Sequence, residues 1–290
     1  MSDRVFCIGN GENRLSFPIE KLKGKGKIYG CNAIYRDNPD VIDVLTSVDY
    51  GICHEIYHSG YAQKVPCYFR GWSKVPAYMY ETMALGFADK AELDIVKHFD
   101  GIITNEKGTS TEFVMHGVNL QGAVQIVKQY EKDFPHANKE TIKKKINKTK
   151  INVSWIKEPC KAKDIRIHMP DKGDKGWSSG TSAGWIACEK EKPDEVFIIG
   201  HDLYSQGNFI NNVYKDTKHY QIAKAQATPC MNWITQWRSC INEHPKIKFW
   251  KVNPKSGKNV DNINREIQEW KDFKNLEYCD FKYFKNLLHI

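Results

Sequence analysis

Short apolar runs that end in glycine- or asparagine-rich turns recur along this chain, and their spacing sets the expected architecture. Val5–Ile8 is such a run before Gly9-Asn10-Gly11, the pattern of a buried strand feeding a tight loop. Lys27–Tyr35 (KIYGCNAIY) predicts a second strand, closed by the turn Arg36-Asp37-Asn38-Pro39. Val44–Val48 predicts a third, followed by Asp49-Tyr50-Gly51 and a helix near Ile52–Ser59, and Pro66–Phe69 a short fourth. Periodicity predicts helices over Lys90–Phe99, Leu120–Phe134 and Lys139–Lys150. From residue 177 onward WSSGTSAG leads into a helix up to Lys192, which Pro193-Asp194 stops. Glu195–Ile199 (EVFII) is a continuous apolar strand running into Gly200-His201-Asp202-Leu203-Tyr204. His219–Glu243 reads as one long helix carrying Trp233 and Trp237 a turn apart, and Ile247–Val252 as a last strand.

Apolar strands alternating with helices predict an α/β fold with a doubly wound, Rossmann-like and mostly parallel sheet, buried on both faces. The expected organisation is a single domain over residues 1–290, with a helical insertion over 72–176 and a small lid over 205–218. Ligands of such sheets bind beyond the carboxyl ends of the strands. The loops that matter are then 9–14, 32–38, 49–54, 177–184 and 200–205.

Composition changes this picture little. The 290 residues are 41% hydrophobic and 27% charged, values of an ordinary globular chain, and 8 Trp, 14 Tyr and 13 Phe exclude disorder throughout. No apolar stretch reaches the roughly 18 residues of a spanning helix. MSDRVFCIGNGE opens straight into a strand pattern, so the expected location is cytoplasmic, or at most peripheral to a membrane.

The net charge of +8 invites a nucleic-acid or membrane partner, but two counts argue otherwise. Of the basic residues 36 are Lys and only 7 Arg, and bidentate phosphate and base recognition favours Arg. Residues 139–163 hold nine Lys against two Glu, so nearly all the excess lies in one segment, outside every strand-end loop. Nine cysteines with no CxxC pair read as reduced, mostly buried thiols, and no metal site is expected from their spacing.

Four loops carry candidate chemistry. Gly9, Asn10 and Gly11 let backbone approach a phosphate or ribose closely, or form an ordinary strand–loop turn. The loop is not a GxGxxG fingerprint, because Arg14 holds the third glycine position, and no GK[ST] marks a P-loop. Asn32 can donate and accept at once, which suits a nucleobase edge or sugar hydroxyl; the alternative is an Asx turn. Ser178, Ser179, Thr181 and Ser182 crowd a helix start, where they cap it or face an anionic ligand. Asp202 can bind a sugar hydroxyl and Tyr204 can protonate a departing phosphate oxygen, or both can serve the loop backbone.

Taken together, IGNG at 8–11, CNAIY at 31–35, SSG near 179–180 (or TSAG at 181–184), EVFIIGHDLY at 195–204 and KHY at 218–220 resemble the bacterial sialyltransferases of glycosyltransferase family 42. More loosely, they resemble related phage and archaeal proteins. The resemblance spans both ends of the chain and skips residues 60–175. It implies a CMP-sugar donor, an inverting transfer to a glycan or other acceptor, and no metal cofactor, in keeping with the lack of a DxD element. Under it Asn10 and Asn32 contact the donor. Ser179 and Gly180, or Thr181 and Ser182, lie on its base or sugar side, and Tyr204 binds the leaving phosphate. Tyr214 stands nearest the family's lid tyrosine. Asp49 takes the place of a family Asn. Ala223 stands where the family has its base His, which leaves His219 as the substitute base. Monomer and homo-oligomer both stay open. Two other readings of the residues stand beside this one. A pterin pyrophosphokinase-like phosphoryl transferase would hold a divalent ion between Asp49 and Asp202, and a nucleic-acid-binding protein would use the Lys-rich segment.

Overall fold

The computed structural model describes residues 3–70, 101–107, 110–116, 150–156, 161–170, 176–257 and 259–290. In chain order these form β1 (Arg4–Ile8), β2 (Lys27–Cys31), β3 (Val44–Ser47), α1 (Tyr50–His58), α2 (Tyr61–Lys64), β4 (Cys67–Phe69), β5 (Gly101–Lys107), β6 (Ser110–His116), β7 (Lys150–Ile156) and β8 (Ala162–Asp164). There follow α3 (Ser179–Glu191), β9 (Glu195–Ile199), α4 (Met231–Glu243), β10 (Lys248–Asn253), β11 (Leu276–Asp280) and α5 (Phe281–Leu288).

The chain divides into two units, one of residues 1–48, 65–68 and 165–290, the other of 49–64 and 69–164. In the first, seven strands stand in the order β11-β10-β9-β1-β2-β3-β4, and every pairing from β11 to β3 is parallel. This is the expected doubly wound α/β sheet. Its order reverses between β1 and β9, which makes that pair the topological switch point. The second unit has α1, α2, β8 and a three-stranded sheet in which β6 pairs antiparallel with β5 and parallel with β7.

Both faces of the first sheet are covered, which is why EVFII needs no polar alternation. On one face Phe6, Phe197 and Trp250 lie side by side across three strands in register, with ring centroids 5.3 and 6.1 Å apart. Phe284 of α5 closes this row, 5.1 Å from Phe197 and fully buried. The other face presents Val5, Cys7, Val196, Ile198 and Phe249 to α3 and α4. Here α3 sits close because it is built of small residues: a Cβ on Gly184 would stand 2.2 Å from the Trp237 ring.

Several expectations need correction. The helix expected over His219–Glu243 begins only at Met231; Pro229 restricts the residue before it to extended backbone, so 219–230 is loop. The strand expected over Lys27–Tyr35 stops at Cys31, and Asn32–Arg36 is a 3-10 turn entered through Asn32 at φ 51°. Within 72–176, expected to be a helical insertion, the described residues include strands β5–β8, and residues 69–164 belong to the second compact unit. The helices expected over Lys90–Phe99, Leu120–Phe134 and Lys139–Lys150 lie outside the described residues, apart from Lys150, which begins β7. Not foreseen were β11 and α5, whose first turn is capped by the Asp280 carboxylate accepting from the Tyr283 N–H at 2.7 Å. Asp280→Ala is expected to lower stability by about 1 kcal/mol in urea unfolding, since an N-cap acceptor is lost while the apolar face of α5 is kept.

Candidate functional site

The site is built where β1 and β9 end side by side. After β1 the backbone N–H groups of Gly9 and Gly11 donate to the carbonyls of Ile199 and Gly200, each at 2.7 Å. That approach explains both glycines. A Cβ on Gly9 would stand 2.4 Å from the Gly200 carbonyl oxygen, and one on Gly11 2.3 Å from the Asp202 carboxyl carbon. Their absent side chains therefore make room for the loop after β9.

Asn10 is buried; its amide donates to the Cys31 carbonyl at 3.1 Å, tying the ends of β1 and β2, and its own carbonyl receives the Val213 N–H. Asn32, held in left-handed backbone, accepts from the hydroxyls of Ser47 at 3.0 Å and Ser179 at 2.7 Å. The start of α3 is thus fastened to β2 and β3, and Thr46 adds a bond to the Ser179 carbonyl at 2.7 Å. Ser178 and Thr181 share a hydroxyl bond, and Thr181 donates to the Gln236 amide oxygen. Three of the four hydroxyls at this helix start thus have protein partners, while Ser182 is fully buried with its Oγ unpaired. Gly180 is small for His201: its Cβ would stand 2.5 Å from the imidazole Cε1.

His201 passed unremarked in the sequence pattern, yet it lies at the centre. The Trp237 indole N–H can only donate, so His201 Nδ1 accepts from it at 3.3 Å and the ring proton sits on Nε2. Burial, helped by the nearby Lys251 charge, lowers the His201 pKa to about 3, so the ring is neutral in ordinary solution. Asp202 Oδ2 accepts from the Asn13 N–H at 2.9 Å and the Asn211 amide at 3.0 Å. Burial raises its pKa, and Lys251 and the two N–H donors oppose the rise. Lys251 is itself buried on β10 and bonded to Asn253; burial pulls its pKa down to about 8 against the pull of Asp202. The Asn253 amide bonds the Asn264 carbonyl at 3.1 Å, and the Asn13 amide the Ile263 carbonyl at 3.0 Å, completing a polar floor beneath the loops.

Four polar atoms of this floor and rim are buried without a hydrogen-bond partner: Asn10 Oδ1, Ser182 Oγ, His201 Nε2 and Asp202 Oδ1. Two are acceptors, the protonated Nε2 is a donor and the hydroxyl can be either. Buried polar groups are normally paired, so each of these four calls for a partner that the surrounding protein groups do not supply.

A second cluster flanks the first. Tyr214 is buried; its hydroxyl donates to Asp37 and accepts from Arg14 at 2.7 Å. Burial raises its pKa well above the usual phenol, with Asp37 adding to the rise against the Arg14 charge. The Arg36 guanidinium lies over the rings of Tyr214 and Tyr220, at 5.9 and 5.8 Å, and bonds the Lys218 carbonyl at 3.0 Å. His219 is exposed in this loop with φ 69°, so its side chain is displayed by strained left-handed backbone, outside any helix. The lid expected over 205–218 is part of a longer irregular segment, drawn together by a bridge between Phe209 and Gln226. Tyr204 lies beneath Arg265, whose guanidinium is 3.8 Å from the ring centre.

Asp49 is exposed in the second unit, and its carbonyl accepts from the Cys53 N–H at the start of α1. Most of the Lys-rich segment lies outside the described residues. Comparison with protein-family models, with curated proteins and with solved structures finds no significant match to this chain. Among the described residues no helix is long and apolar enough to cross a membrane.

Proposed function

We propose that the chain is a glycosyltransferase-like enzyme that binds a nucleotide-activated sugar across the carboxyl ends of β1 and β9. The supporting observation is the set of four unpaired buried polar atoms on Asn10, Ser182, His201 and Asp202 at the switch point. Their mixture of donor and acceptors suits a ribose or a nucleobase amide edge, which offers both kinds of group, better than it suits a bare anion. The family resemblance of the loops makes CMP the nucleotide and a sialic-acid-like sugar the group transferred.

In this reading an acceptor hydroxyl attacks the anomeric carbon, the bond to the phosphate oxygen breaks, and CMP departs. The acceptor proton passes to His219, whose exposed place in the lid lets it meet a second substrate. The negative charge that builds on the leaving phosphate is answered without a metal, by the hydroxyls of Tyr204 and Tyr214 and by Arg36. Burial keeps the Tyr214 proton in place, and donating it to the phosphate requires the hydroxyl to turn from Asp37 to the leaving oxygen. The phosphoryl-transfer and nucleic-acid alternatives rest on Asp49 and on the Lys-rich segment, and the described residues add no observation in favour of either.

Millimolar CMP is expected to raise the melting temperature, by about 2.7 kcal/mol of stabilisation at a hundredfold excess over Kd. UDP should act more weakly, and Asn10→Ala should abolish the CMP shift. Absence of a shift with every nucleotide would sink the proposal, and a shift that requires Mg²⁺ would transfer the site to phosphoryl chemistry.

A further inference from the structure

Far along both helices from the strand-end loops, α3 and α4 bring three metal-ligating side chains together. Cys188 is in the last two turns of α3; Cys240 and His244 are one turn apart at the end of α4. One ligand atom from each lies within 4.8 Å of the other two, the only such group of three among the described residues. We propose that Cys188, Cys240 and His244 form a zinc(II) site that pins α3 to α4.

The thiol geometry fits the ion. Two thiolates at about 2.3 Å from zinc, separated by the tetrahedral angle, stand about 3.8 Å apart. Here the sulfur atoms are 3.9 Å apart, so the cation enters between them with almost no movement of either helix. The soft sulfur pair with one imidazole favours zinc over magnesium or calcium, which take oxygen ligands.

The histidine supplies an independent argument. Its Nδ1 faces the Cys240 carbonyl at 2.7 Å and its Nε2 the Glu189 carboxylate at 3.0 Å. Both partners are acceptors. A neutral imidazole carries one proton, so it satisfies only one of them and turns a lone pair toward the other. A proton or a metal cation on the second nitrogen removes that conflict, and metal titration tells the two apart. Whichever nitrogen ligates, the other keeps an acceptor of the kind that orients metal-binding histidines, a backbone carbonyl or a carboxylate. The site also lies where a cation is welcome, since His244 is the residue that closes α4 and the helix presents its negative end there.

Binding turns both thiols into thiolates, and their two protons leave to solvent. The fourth position faces the Glu189 side, the open side: the carboxylate side chain is 47% exposed and the imidazole 11%. Water or that carboxylate completes the tetrahedron. The thiols themselves are sealed among core residues, so the ion enters by way of the histidine.

The test uses the whole chain, reduced and stripped with chelator, then titrated with zinc and, separately, with cobalt(II). The expected result is one ion per chain, with a thiolate-to-cobalt charge-transfer band and the visible bands of tetrahedral cobalt. His244→Asn, at the rim, should remove the bands, and Glu189→Gln should weaken zinc by about 10–100-fold. Cys230→Ser, outside the cluster, should leave both unchanged. Failure to bind either ion, or cobalt bands that survive in folded His244→Asn, would overturn the site. A Cys188–Cys240 disulfide formed under mild peroxide by protein that takes up no metal would also overturn it and identify the pair as a redox dithiol. Circular dichroism on each variant separates loss of the site from loss of the fold.

Discussion

Trp237→Ala is expected to lower the stability of the first unit by about 3–5 kcal/mol, the usual range for deleting a buried aromatic side chain. Trp237 is fully buried on α4, and its ring fills the space that Gly184 leaves open on α3. Collapse around the vacancy is limited, because α3 is fastened at its start to Asn32 and Val48 through Ser179. The variant also removes the indole N–H that His201 Nδ1 accepts, leaving the whole imidazole buried without a partner. The two losses can be separated. Trp237→Phe keeps most of the ring and loses the donor, and should cost about 1–3 kcal/mol for one unpaired buried acceptor. Urea unfolding with an unchanged m-value is the measurement. A loss below about 1 kcal/mol for the alanine variant would mean that the helix pair is held elsewhere.

How much of this was legible in the sequence depended on how local the determining contact was. EVFII matched β9 residue for residue because burial on both faces needs nothing beyond its own composition. The sequence pattern starts α4 at His219 rather than Met231 because an apolar period can run on through a loop, here past Pro229. Of the loops 9–14, 32–38, 49–54, 177–184 and 200–205, parallel order places all but 49–54 at one end of the first sheet, and 49–54 belongs to the second unit. Their internal roles were not legible. Gly9 and Gly11 suit either backbone approach to a phosphate or an ordinary turn, and no local pattern tells that Gly200 and Asp202, almost two hundred positions away, fill the space beside them. Lys251 sat within an apolar strand pattern with no sign that Asp202 and His201 lie near it. The Cys188, Cys240 and His244 group has no CxxC signature because its members come from two helices. The one local trace, a cysteine and a histidine four residues apart, becomes readable only once residues 240–244 are known to end a helix.

His201 should make the folded chain lose stability from about pH 6.5 downward, so that the loss begins above the range in which carboxylates titrate. Its pKa is about 3 when folded against 6.5 as the ordinary value, so between those limits the unfolded chain takes up a proton that the folded chain refuses. Stability therefore falls as pH falls, by about 1.4 kcal/mol per pH unit in the middle of the window, and by roughly 4–5 kcal/mol across it. Asp202 works in the opposite sense. Its folded pKa is raised, so the cost of its buried charge is relieved as it protonates, and it returns part of the loss at the acid end. Lys251 does not enter this window, because its depressed value of about 8 makes stability rise with pH only above that point. Urea unfolding from about pH 7 to about pH 4 should show the slope in the native chain and a flatter line in His201→Gln, whatever that variant costs at neutral pH. Equal slopes in the two chains would mean that His201 is protonated when folded. That would put a charge at the centre of the strand-end site and exclude Nδ1 as the acceptor of the Trp237 N–H, since both ring nitrogens would then be donors.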